Sequence, residues 1–163
     1  MGCSCISNED FNFVIEYDKD HITIIDKSTW ATEEHNAPLI YHNVEIINND
    51  KTYTFPLKIN GSTIIKYCDL PSESSCGSDG IYTFKIDNCG LIYRKTVAIL
   101  KHINCSYSKL LINTELKDYK NVIWPIFRQI EFIKVNAVLG YVKKAEEHYN
   151  LLVDMLKQIN CEC

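Results

Sequence analysis

The stretch Asp79-Gly80-Ile81-Tyr82-Thr83-Phe84-Lys85-Ile86-Asp87-Asn88-Cys89-Gly90 decides how this chain is read, because the spacing of apolar residues changes just beyond it. Up to about Lys101 they alternate in short runs split by turn residues; after it they recur every three or four positions. Alternation marks half-buried strands, and the longer period marks helices with one buried face. The expected fold class is therefore α+β. Residues 1–101 should form an antiparallel β-sandwich of Ig-like or jelly-roll type. Residues 102–163 should form a helical region that ends in an antiparallel αα-hairpin.

Toward the N-terminus, Phe11, Phe13, Ile15 and Tyr17 fall on one face of a first strand. Asp18-Lys19-Asp20 turns the chain, and His21 to Ile25 returns beside it. Residues 27–38 are polar and read as a long loop. Leu39 to Ile47 and Lys51 to Ile59 are the next strands, joined by Asn48-Asn49-Asp50, with Tyr53, Phe55, Leu57 and Ile59 expected inward. Pro56 cannot donate to a ladder, which argues for an edge or a bulge. Asn60-Gly61 is a hairpin signal, so Ser62 to Cys68 is expected to pair with the strand before it. After a polar loop over 70–79, Ile81 to Ile86 and Leu91 to Leu100 make the last hairpin. Strands joined by turns with no helix between them imply stacked antiparallel sheets.

Toward the C-terminus, Ser106 is placed to cap a short helix to about Tyr119, with Tyr107, Leu110, Leu111 and Leu116 inward. Pro125 suits the first turn of the next helix, whose Ile126, Ile130, Ile133 and Ala137 line one side. Gly140 is the expected left-handed cap. Val142, Ala145, Tyr149, Leu152, Leu156 and Ile159 then line the last helix.

The chain has 163 residues, 46% apolar and 23% charged, enough to bury a core without metals or cross-links. Its net charge is −4. Residues 1–101 carry fourteen acidic and nine basic side chains, a balance of −5; residues 102–163 carry seven and eight, a balance of +1. No basic patch suits sequence-independent binding to phosphates. No apolar run is long enough to span a bilayer, and the N-terminus lacks the cationic flank and apolar core of a secretion signal. Met1-Gly2-Cys3-Ser4-Cys5-Ile6-Ser7 departs from the acylation pattern, which asks for Ser or Thr where Ile6 stands.

Eight cysteines are too few for a disulfide scaffold, and thiols are the expectation. Cys68, Cys89 and Cys105 read as small buried or strand-end residues, and Cys76 lies in a polar loop. Cys3, Cys5, Cys161 and Cys163 form a Cys-X-Cys pair at each end, but a single intervening residue is not the usual zinc spacing. His21, His35, His42, His102 and His148 lack partners at metal-ligand spacing, and His148 beside Glu146-Glu147 is expected on a solvated face. Cys105 with His102 is the Cys–His pair best placed for chemistry, and it has no oxyanion signature. No phosphate loop, nucleophile elbow or dinucleotide fingerprint occurs. The expectation is no catalytic, cofactor-binding or metal site, and no cofactor. Trp30, in a polar loop, is the expected exposed aromatic.

The hairpin Asp79 to Phe84, its continuation Asn88-Cys89-Gly90-Leu91-Ile92-Tyr93, then Asn104-Cys105-Ser106, Leu139-Gly140-Tyr141-Val142-Lys143-Lys144-Ala145-Glu146-Glu147 and Cys161-Glu162-Cys163 together resemble small virion proteins of crAss-like tailed phages. The resemblance covers roughly residues 79–163. It implies a structural protein, not an enzyme, that forms a homo-oligomeric ring in the head–tail connector or tail barrel. Such a ring stacks on connector, tail or portal-associated neighbours, and DNA passes through it without specific recognition. It involves no membrane, resides in the virion and assembles in the host cytoplasm. The competing expectation is a virion-surface β-sandwich module that binds a glycan or a partner protein.

Overall fold

The computed structural model describes residues 12–18, 21–28, 41–58, 61–71, 79–88 and 91–159. In chain order the elements are β1 (Phe13–Tyr17), β2 (His21–Asp26), β3 (Tyr41–Asn48), β4 (Lys51–Lys58), β5 (Ser62–Lys66), β6 (Gly80–Asn88), β7 (Leu91–Ile99), α1 (Lys101–Asn113), α2 (Tyr119–Val138) and α3 (Val142–Ile159). The strands form two antiparallel sheets, ordered β1-β2-β5 and β4-β3-β6-β7. The fold class is thus α+β: among the described residues, seven strands are followed by a helical region.

Two compact units divide the chain. The described residues of Met1–Gly77 with Phe84–Arg94 make one, and those of Ser78–Thr83 with Lys95–Cys163 make the other. In the first unit alternation does what the sequence implies. Phe13, Ile15, Ile22, Ile24 and Ile65 of one sheet are buried, as are Val44, Ile46, Leu57, Phe84 and Ile86 of the other. Registers agree with this: Ile15 lies opposite Ile24, and Ile22 opposite Ile65. The Tyr93 hydroxyl donates to the Phe13 carbonyl at 2.7 Å, and the two rings lie 6.1 Å apart, which ties β7 to β1.

Asn60-Gly61 does not make the expected hairpin. β4 pairs with β3, and β5 pairs with β2 in the other sheet. The tight turn is at Asn49, which takes the left-handed conformation (φ 53°) between the opposed residues Asn48 and Lys51. β5 lies in the other sheet, although the Lys58 amide still donates to the Thr63 hydroxyl at 3.0 Å. Gly61 is held by its carbonyl, which accepts from the Asp26 amide at 3.0 Å. Pro56 does lie on an edge strand, since β4 ends its sheet. Among the described residues β4 pairs on one side, and it buries Leu57 but leaves Phe55 half-buried and Tyr53 exposed; Ile59 lies outside the described residues.

The second unit is organised about Asp79. Its carboxylate accepts from the amides of His102 (3.0 Å) and Ile103 (2.8 Å), capping the N-terminus of α1 from outside the helix. Its own carbonyl accepts from the Tyr149 hydroxyl of α3 at 2.9 Å. This is why α1 starts at Lys101 and not at Ser106: the cap is long-range, and Ser106 is a buried position within the helix. Leu110 is buried and Tyr107 and Leu111 are half-buried, but Leu116 is exposed beyond the end of α1.

α2 also starts sooner than Pro125 suggests, at Tyr119, so the proline is internal. A proline there removes one helix hydrogen bond and strains the turn before it, a cost of about 3 kcal/mol. Burial of Ile123 and Ile126 on either side holds the helix continuous. Ile130, Ile133 and Ala137 of α2 pack with Ala145, Leu152 and Leu156 of α3 in one core that also takes in Ile81, Leu100, Ile103 and Leu110. Gly140 links the two helices with φ 80°, the expected left-handed cap. Ile159 is more exposed than its position in the stripe implies.

Burial raises the Asp79 pKa above its ordinary value of 3.8, opposed by the helix amides of Ile103, His102 and Lys101. A carboxyl whose folded pKa is raised binds its proton more tightly when folded, so its contribution declines as pH rises from about 3.8 through the folded pKa. Replacing Asp79 by Ala should destabilise the protein by about 1–3 kcal/mol through loss of the cap, while Asn, also a good cap, should cost less. Urea denaturation across pH 4 to 7 measures both, and the Asn variant should lack the wild-type decline attributable to this carboxyl.

Candidate interaction surface

Three groups of side chains could carry function, and the first is a buried polar set in the sheet unit. The Asp26 Oδ1 atom accepts from the Ser28 amide at 2.8 Å. The Ser28 hydroxyl accepts from the Asn12 amide (2.8 Å) and donates to the Asn12 carbonyl (3.1 Å). Asp26, Ser28 and His42 are all buried. Burial lowers the His42 pKa below 6.5, and the charges of Asp26 and Asp87 oppose the shift. These bonds fasten the start of β1 to the end of β2. The Ser28 hydroxyl is committed to the backbone of Asn12, so the set acts as a structural clasp.

The cysteines come second. Cys68 and Cys105 are disulfide-bonded and belong to exposed residues, so neither is the buried thiol that the sequence implies. A bonded Cys105 is not a nucleophile for His102. Cys3, Cys5, Cys76, Cys89, Cys161 and Cys163 lie outside the described residues, as do Trp30 and His35. Among the described residues no group of three or more His, Cys, Asp or Glu side chains is placed to hold a metal ion. Among the same residues, no helix is long and apolar enough to cross a membrane.

The third group is the outer face of α2, where apolar side chains meet water. Trp124 is 57% exposed, Phe127 46%, Val135 53% and Val138 85%, and Leu139 and Tyr141 continue the exposure into the link. Residues at 124, 127, 131, 135 and 138 share one side of a helix, opposite the buried Ile126, Ile130, Ile133 and Ala137. A helix that is apolar on two sides is expected to be covered on both. His148 is not on a solvated face: it is half-buried, its Nδ1 is 2.8 Å from the Gln129 Oε1, and its ring lies 5.0 Å from that of Phe132. The α2–α3 seam is thus closed by polar and aromatic contacts, while the opposite side of α2 stays open.

Sheet edges are the other open surface. β1 and β5 end one sheet, and β4 and β7 end the other. Lys51, Pro56 and Lys58 on β4, Lys66 on β5 and Arg94 and Lys95 on β7 are residue types that discourage indiscriminate strand addition. The signal for the α2 surface was present in the sequence as a second apolar stripe. No family model, curated protein or solved structure matches the chain.

A base whose folded pKa is lowered takes up its proton more readily when unfolded, so acidification below about pH 6.5 should cost stability through His42. Replacing His42 by Gln should remove that part of the acid slope, read from denaturant midpoints between pH 5 and 7.

Proposed function

We propose that this chain is a structural virion protein of a tailed phage, similar to the ring proteins of crAss-like phages. In this reading it forms a homo-oligomeric ring of the head–tail connector or tail barrel, through which DNA passes. The motifs of residues 79–163 carry the reading, because they are where the chain resembles those ring proteins. Open sheet edges on β4 and β5 offer a place for a neighbouring copy. In a ring, each subunit touches its two neighbours through two different surfaces.

Charge is consistent with passage of DNA. The sequence has net charge −4 with its acidic excess in residues 1–101, so a bore lined by those residues would not hold phosphates. The disulfide-bonded Cys68 and Cys105 also suit a particle that persists in oxidising surroundings after leaving its host.

Light scattering with negative-stain imaging tests the proposal, on the purified chain and on the chain co-expressed with its portal. A large closed ring, alone or on the portal, is the expected result. A monomer in both preparations, or a ring whose bore is lined by lysine, would contradict it.

A further inference from the structure

The exposed stripe of α2 has a symmetry that its buried stripe lacks. Trp124 and Val138 lie seven residues either side of Glu131, Phe127 and Val135 four either side, and Arg128 and Lys134 three either side. We infer that this face docks on the same face of a second copy, antiparallel, with a two-fold axis at Glu131. Trp124 then meets Val138 of the other copy and Phe127 meets its Val135, so each bulky ring lies against a small side chain. Parallel docking would set Trp124 on Trp124 and leave a gap between the valines.

Charge favours the same arrangement. Two Glu131 carboxylates converge at the axis, a poor contact on their own. Each is flanked by Arg128 and Lys134 of the other copy, so two carboxylates lie among four cations. Within one copy Glu131 already approaches Lys134, at 3.9 Å between exposed side chains. In the pair it gains the second set of cations, and the contact excludes water from the rings on either side.

The size of the face sets the strength. From Trp124 to Val138 it spans about 21 Å of helix. The four aromatic rings of a pair, each already about half covered, would bury roughly a further 300–500 Å². A stable interface buries about 1,200–2,000 Å² in all, so the pairing should be reversible, with dissociation in the micromolar range. A two-fold contact pairs subunits without extending a ring, so this inference stands or falls independently of the ring.

A side-chain swap within the full-length chain tests it by sedimentation equilibrium from about 1 to 300 μM. Trp124→Val leaves valine facing valine, and Val138→Trp sets two indoles against each other. Each single variant should weaken the pairing by about tenfold or more. The double variant restores bulky-on-small contacts in the antiparallel arrangement alone, and should return the dissociation constant to within a few-fold of wild type. Both positions are exposed, and circular dichroism checks that the variants fold. Single variants that sediment as wild type, or a swap that fails to rescue, would overturn the inference. So would a wild-type monomer throughout this range, which would leave the face to another part of this chain or to a different protein.

Discussion

A single carboxylate bonded to two helix amides governs the helical unit. Asp79 stands just before β6, yet it ends the orphan amides of α1 and, through its carbonyl, holds Tyr149 of α3. Burial disfavours its charge, while the helix N-terminus favours it, and the raised pKa shows that desolvation is the larger effect. Tyr149 responds in the same sense. Its hydroxyl is driven well above the ordinary phenol range by burial first and then by the nearby Asp79 and Tyr82, which favours the protonated form that donates to Asp79. The start of a strand, the start of one helix and the middle of another are thereby joined at one residue.

Around that point the core is ordinary in composition. Ile81 and Leu100, from the base of the last hairpin, sit with the isoleucines of α2 and the leucines of α3. Thr83 and Thr96 place their hydroxyls 3.2 Å apart across the same hairpin. The hairpin is thus shared: its base packs with the helices, and Phe84 and Ile86 belong to the sheet unit. Four successive residues, Ile81 to Phe84, are buried, which an alternating strand with one wet face would not allow.

What the sequence made legible follows from the range of each interaction. Strand and helix periods are local, so the two sheets' inward faces and the α2–α3 seam could be read from Phe13, Ile15, Ile24, Ile130 and Leu152. Gly140 was legible because a left-handed cap leaves a residue-type signature. Partner choice was not: Asn60-Gly61 is a hairpin signal in isolation, but β3 already holds β4, and β2 holds β5. Ser106 looked like a cap because the real one lies 23 residues from His102. Pro125 looked like a start because its penalty is local and the burial of Ile123 that overrides it is not. The open face of α2 has the periodicity of any amphipathic stripe, and only the structure shows that it lies opposite a stripe already buried.

A protein whose helical unit is fixed from within can present a constant surface, and the proposed assembly through α2 requires that constancy. If Asp79 is what fixes it, the first amides of α1 should be as well protected as the core. Site-resolved amide hydrogen exchange measures this directly. The His102 and Ile103 amides are expected to exchange as slowly as those of Ile130 and Leu152, through opening of the whole unit. Rapid exchange at His102 and Ile103, as in a frayed helix end, while α2 and α3 stay protected, would contradict the account.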